Sequence, residues 1–408
     1  MKKKHRLNVK QFLKRAVNDF KVIDKWMLIA VLFMQTIGLL MIYSITSITM
    51  YNNNGGEFGF VVKTGIGIVL GSVLLITMYL IPYKQYRTLG FIAVFINPAI
   101  LIVTLIFGGG PLGVRSWIDL GFLSVQPAEF VKIGMAFAVA FLLNKSIQSN
   151  QLEPPQLVPK TPDQFLKSYW FIVVYVATCC ALVLMQPDMG TMVIIFSIAI
   201  ITVLCSGMRW QTILKLIGVA LPILIIAGLA LVTWKPYQAD RFVLWADPFN
   251  HPKGLQNVMG YTAMALGGLF GVGVGQSTQK YGYVIEPHND FIVTILAEEM
   301  GMLMVIFIMI LYLFMAFRCF LTATKCKDLF GSLLMIGIGS LFLIQPIINL
   351  GGASGFLPLT GVTLPFISYG GTSTMVFFFA TGVYLNVAKH IKQSTQRVTN
   401  VIPLEKND

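Results

Sequence analysis

Just ahead of an apolar run that opens at Phe291, the chain reads Glu286-Pro287-His288-Asn289-Asp290. Carboxylates and an imidazole are groups that hold and pass protons, yet hydrocarbon cannot solvate an ionised carboxylate. Such a cluster at the mouth of a membrane span is kept only where a wet cavity holds it. It closes an interval from Trp234 to Phe291 in which an otherwise oily chain stops being oily. The interval reads as a site rather than a linker. It also carries Tyr237, Arg241, Asp247-Pro248-Phe249, a glycine-dense run from Gly267 to Gly275, and Lys280. Glycines this dense suit either a re-entrant segment or a loop folded over a bulky ligand. Arg241, Lys280, Glu286, His288 and Asp290 then give an outward-facing patch of both signs.

The elements that must position this patch are set by composition. The 408 residues are 56% hydrophobic and only 12% charged, with a mean hydropathy of +0.75. Soluble domains do not look like this. The expected fold is an all-α polytopic membrane protein. Apolar stretches long enough to span fall at 25–47, 59–81, 88–107, 126–143, 168–186, 189–206, 211–234, 290–317, 329–350 and 372–388, ten in all. The first lacks a small-residue cleavage site after a short apolar core, and so reads as a retained helix.

Orientation follows from Lys and Arg, which favour cytoplasmic loops. With both termini inside, 23 of the 30 basic residues lie on the cytoplasmic side, counting Lys215 just within the seventh span. The formal charge of +13 is then mostly inside bias and needs no nucleic acid. The organisation predicted is a basic amphipathic leader (1–24), a membrane domain (25–388) with an extracellular loop (235–289) between spans 7 and 8, and a cytoplasmic tail (389–408). The leader either lies on anionic lipid or is disordered. A Pro- and Gln-rich cytoplasmic insert from Asn144 to Ser168 reads as a loop without a fold of its own. Three polar loops, Gly108 to Val125, Lys235 to Asn289 and Gly351 to Gly371, open on the same, outer face.

Cysteines and metal-ligand spacings point to no disulfide framework or metal cage. No phosphate loop of the GxxxxGK type is present, and no nucleotide or organic cofactor is expected. Elsewhere, Glu129 and Lys132 stand three residues apart on one helix face, where they can neutralise each other. They form either a structural ion pair or a cavity wall that meets a charged ligand. Arg115 and Trp117 supply a phosphate contact and an aromatic platform, or a snorkelling cation and a belt residue. Asp188, in Gln186-Pro187-Asp188-Met189-Gly190-Thr191, suits a helix N-cap.

Several blocks together carry a resemblance: Arg115-Ser116-Trp117-Ile118, Gln126-Pro127-Ala128-Glu129, Gln186-Pro187-Asp188-Met189-Gly190-Thr191, Asp247-Pro248-Phe249, His288-Asn289-Asp290-Phe291-Ile292 and Leu364-Pro365-Phe366-Ile367-Ser368-Tyr369-Gly370-Gly371. In this order and over nearly the whole chain, they resemble the SEDS proteins (shape, elongation, division and sporulation), ten-span bacterial peptidoglycan glycosyltransferases. Trp245-Ala246-Asp247-Pro248-Phe249 and Thr360-Gly361-Val362-Thr363-Leu364-Pro365 look more like the division type than the elongation type. Ser116, Ala128 and Val293 depart from the usual family residues without removing a charged group.

The resemblance implies polymerisation of lipid II on the outer face of the bacterial cytoplasmic membrane, with loss of undecaprenyl diphosphate. Asp290 matches the family's essential aspartate and is the expected base for the acceptor hydroxyl. A single displacement would invert the anomeric centre. Arg115, Lys132, Arg241 and Lys280 are the candidates for holding the diphosphate, with a divalent cation, magnesium or manganese, as an option at Asp290. Glu286 and His288 are supporting candidates, and His288 either orients the carboxylate or caps the helix entry. Glu129 and Asp188 are expected to support the cavity. Ser368 is expected in a close-packing turn that lines it. The implied partners are lipid II, a class B penicillin-binding protein and other division proteins, at the septum. Other classes are a lipid II flippase, for which no inverted repeat is seen, and a scaffold, which would have no reason to keep intramembrane charge.

Overall fold

The computed structural model describes residues 23–52, 58–110, 115–119, 121, 124–149, 162–207, 214, 236–284 and 287–401. Its helices are α1 (Lys25–Asn52), α2 (Phe58–Leu80), α3 (Tyr86–Phe107), α4 (Pro127–Ser149), α5 (Pro162–Met185), α6 (Met189–Leu204), α7 (Pro236–Ala246), α8 (Leu255–Gly267), α9 (Ile292–Lys325), α10 (Leu329–Ala353) and α11 (Gly371–Val401). A two-stranded antiparallel ribbon, β1 (Ile118–Asp119) and β2 (Ser124–Val125), precedes α4.

Seven of these helices are long and apolar enough to cross a membrane, and α5 and α6 contribute two shorter apolar segments. The chain is thus a helical, polytopic membrane protein. All but Leu214 of the expected span 211–234 lies outside the described residues, as do Glu286 and nearly all of the leader. Helix α4 continues to Ser149 and α5 starts at Pro162, so both ends of the insert expected as loop are helical; 150–161 fall outside the described residues. The interval expected as an extracellular loop contains α7 and α8.

The core is built by close helix contact rather than by bulky side chains alone. A Cβ at Gly382 of α11 would lie 2.4 Å from the Leu75 carbonyl oxygen of α2, and one at Gly38 of α1 would lie 2.2 Å from that of Phe366. Only glycine lets these backbones touch, which is how packing is gained where lipid offers no hydrophobic drive.

Polar groups close the bundle at both ends. At one end Asp24 pairs with Arg318 and accepts from the Tyr384 hydroxyl at 2.6 Å, Arg87 pairs with Asp328, and the Asn386 amide donates into the carbonyls of Met78 and Tyr79 in the last turn of α2 and of Ile81 just past its end. At the other end Gln126 donates from its backbone to Thr372 Oγ1 (3.2 Å) and from its amide to Asp188 Oδ2 (2.9 Å). The three polar loops gather at this second end.

Candidate active site

Asp290 lies in the turn 287–290, directly before α9 begins, and is partly exposed. That turn is fixed from α10: Asn349 Nδ2 donates to the Asp290 carbonyl at 3.0 Å and to the Val362 carbonyl at 2.7 Å. The segment 358–364 therefore runs beside the aspartate. At its tip Gly361 has φ +73°, and a Cβ built there would lie 4.0 Å from Asp290 Oδ2 and 3.8 Å from Arg241 Nη2. A carboxylate and a guanidinium thus approach one point. Arg241, on α7, is further held by donating to the Leu359 carbonyl at 3.2 Å.

The same segment is gripped along its length. Gln345 Nε2 donates to the Thr363 carbonyl (3.1 Å) and to Ser373 Oγ (3.2 Å), and the Leu364 N–H donates to Ser368 Oγ (2.8 Å). Tyr312 donates to the Pro365 carbonyl. This grip sustains Phe366 at φ 64°, a left-handed conformation a bulky residue adopts only when its surroundings over-determine it. Ser368 is buried and serves the turn. His288 accepts the Tyr369 N–H at its carbonyl (2.8 Å), and its ring packs 4.6 Å from Phe60 and 5.5 Å from Tyr369, centroid to centroid.

The remaining expected site residues separate into distinct environments. Lys132 is wholly buried; its Nζ donates to Glu129 Oε1 (2.6 Å) and to Gln345 Oε1 (2.9 Å). Lys280, expected on an outward patch, is buried instead, with its Nζ 2.6 Å from Glu299 Oε1 and 2.9 Å from Ser44 Oγ. Each ammonium is already committed to a carboxylate, because a buried charge is kept only when paired. Asp188 caps α6, accepting the Thr191 N–H at 3.0 Å. Trp117, 36% exposed, sits in a β-bridge with Gly109. Arg115 is exposed, with the Leu105 carbonyl 3.5 Å away.

The glycine-dense run packs on α9 rather than standing over a cavity. Helix α9 breaks at Gly301 (φ 84°, ψ 165°), and a Cβ there would lie 2.3 Å from the Leu269 carbonyl oxygen. Val272 and Gly273 donate to the carbonyls of Glu298 and Glu299, while Met302 and Leu303 donate to those of Gly268 and Leu269. Glu298, also buried, accepts from Ser277 Oγ and from Thr278 N and Oγ1.

Sequence reasoning missed Asn349, Gln345 and the pair Glu298-Glu299. A signal existed for each: amides four residues apart around Pro346 in an apolar stretch, and adjacent carboxylates nine residues into another.

A family model described as cell cycle protein, FtsW/RodA/SpoVE, matches residues 25–393. The chain is 35% identical to the probable peptidoglycan glycosyltransferase FtsW of Bacillus subtilis over 92% of its own length and 93% of that protein's. It is 33% identical to the stage V sporulation protein E of the same organism, over 90% and 97%. Among solved structures it resembles a chain from a peptidoglycan synthase complex that coordinates polymerization and crosslinking (TM-score 0.73, 23% identity, 91% of this chain and 99% of that one). It also resembles the rod shape determining protein RodA of Thermus thermophilus (TM-score 0.63, 22% identity, 90% and 97%). Breadth of match and motif order agree: the chain belongs to the FtsW/RodA/SpoVE family, the SEDS proteins.

Proposed function

We propose that the chain is a peptidoglycan glycosyltransferase that polymerises lipid II at the outer face of the cytoplasmic membrane, with Asp290 as base. The observation that carries this is that Asp290 Oδ2 and Arg241 Nη2 both lie within 4.0 Å of the point a Cβ at Gly361 would occupy. A carboxylate there takes the proton of the acceptor sugar hydroxyl as its oxygen attacks the donor anomeric carbon. The electron pair leaves with undecaprenyl diphosphate, and the guanidinium, permanently charged and forked, meets the developing negative charge. One displacement gives inversion.

Of the cations considered for the diphosphate, Arg241 is the one beside Asp290, whereas Lys132 and Lys280 hold the frame. Among the described residues no group of three or more His, Cys, Asp or Glu could cage a metal. Asp290 alone fits a magnesium or manganese ion shared with a diphosphate, since such ions need only one or two carboxylates beside substrate phosphates. When bound, the ion would offset leaving-group charge.

The bias of basic residues puts the Asp290 end outside, and the likeness to a chain of a synthase complex supports a class B penicillin-binding protein as partner. The match to FtsW supports a role at the division septum.

The test is glycan polymerisation from lipid II by the purified native chain and by Asp290→Asn, reconstituted equally, with and without the class B partner. Native polymer should fall by about 100-fold or more in the variant, within the ~10²–10⁴ range of a positioned general base. Equal polymer from both would remove Asp290 from the base role. Translocation of lipid II without polymer from either would favour the carrier reading.

A further inference from the structure

We propose that α8 and the glycine-dense segment after it form a re-entrant hairpin whose outer edge lies in the acyl chains of the leaflet that the site opens into. The interval expected as an extracellular loop is thus partly a membrane element.

Depth is the first argument. Gly260 packs on the Phe291 ring, Gly267 on the Ala297 carbonyl, and Gly271 on Glu299 and Gly301. Helix α8 therefore runs alongside the start of α9, in the same direction, down to its break. From Ile292 to Gly301 a rise of 1.5 Å per residue gives about 14 Å, close to half of a hydrocarbon core of ~30 Å.

Backbone satisfaction is the second. Non-helical backbone is tolerated at membrane depth only where protein pairs its polar groups. Here the tip and the helix break pair each other: Val272 and Gly273 with Glu298 and Glu299, Met302 and Leu303 with Gly268 and Leu269.

The side chains complete the case. No Asp, Glu, Lys, Arg or His occurs from Gly254 to Gln279. Leu255, Leu266, Leu269, Phe270, Val272 and Val274 are nonetheless exposed, Phe270 at 82%. Leu303, Ile306 and Phe307, beside and below the tip on α9, are exposed in the same way, so the apolar surface of the hairpin continues that of a span. Leaving it in water would forfeit the free energy of taking each large apolar side chain out of water. Charge resumes on either side, with Lys253 paired to Asp240 and 67% exposed, and with Lys280 turned inward to Glu299. The occupant of this edge is the bilayer.

The experiment reads depth without regard to reaction or sidedness. The full chain, with Cys205 and Cys326 replaced by serine, carries a nitroxide at Phe270→Cys, Val274→Cys or Lys253→Cys in proteoliposomes of phosphatidylglycerol and phosphatidylethanolamine. Collision rates with oxygen and with a water-soluble nickel chelate are compared. Labels at 270 and 274 should show a several-fold higher oxygen-to-nickel ratio than the label at 253. Equal ratios at all three positions would place the segment in water and overturn the proposal. Because both test side chains already point outward, the variants should elute from gel filtration as the parent does.

Discussion

Lys280–Glu299 and Lys132–Glu129 are both buried lysine–glutamate pairs at 2.6 Å, but they are built differently. The first is closed: the Ser44 hydroxyl donates its one proton to the Glu299 carboxylate, both of whose oxygens lie within 2.9 Å of it, and Lys280 donates to Glu299 and Ser44. The second is open. Glu129 Oε2 is buried without a protein partner, and Lys132 spends another donor on Gln345, which in turn holds Thr363 and Ser373. A closed pair clasps the hairpin to α9 and α1. An open pair passes its geometry on to the segment that runs beside Asp290. The same two residue types therefore serve stability in one place and site position in the other.

The largest effect should come from breaking the clasp. Lys280→Met leaves Glu299 buried and uncompensated, a loss of about 3–5 kcal/mol, read as a fall in Tm in detergent and in yield. Lys132→Met should cost stability on the same scale, about 3–5 kcal/mol, and polymerisation as well.

The paired replacements sharpen the contrast. Lys280→Met with Glu299→Leu should recover both Tm and activity, because apolar substitution of a buried pair is often neutral. Lys132→Met with Glu129→Leu should recover only part of the lost Tm and none of the activity, since Gln345 Oε1 is left buried without its donor. If both double variants regain polymerisation, the distinction between clasp and relay is lost.

Smaller effects follow the same lines. Gln345→Leu should lower Tm by the equivalent of about 1–3 kcal/mol and reduce kcat, whereas Ser44→Ala, at about 0.5–1.5 kcal/mol, should leave kcat unchanged. The smallest is at the opposite end of the bundle. Burial pulls the Asp24 carboxyl up, but the Tyr384 hydroxyl and the Arg318 guanidinium outweigh it, so it sits below its ordinary value of 3.8. Its contribution is therefore complete above that value and is lost as pH falls through the lower folded one. In an acid melting series Asp24→Asn should remove that limb of the curve.

Much of the candidate site was legible, though unevenly. Asp290 stands in a recognisable block and Arg241 in the polar interval that this block closes, and the structure brings both close to Gly361. The capping role of Asp188 follows from its spacing to Thr191 alone. Lys280 could not be read correctly, because its partners Glu299 and Ser44 lie 19 and 236 residues away. Asn349 and Gln345 were passed over inside an apolar span, although an amide in lipid needs partners and so marks a contact.

By itself the sequence determined the class, because the cost of placing polar groups in hydrocarbon is paid residue by residue and leaves a local record, and it carried the family in the order of its motifs. Only the tertiary structure decided which lysines are spent on carboxylates, that α9 breaks to receive a glycine-dense tip, and that Arg241 and Asp290 meet at Gly361. Those are pairings between distant parts of the chain, and a buried charge or an unpaired backbone group finds its partner in space rather than in sequence.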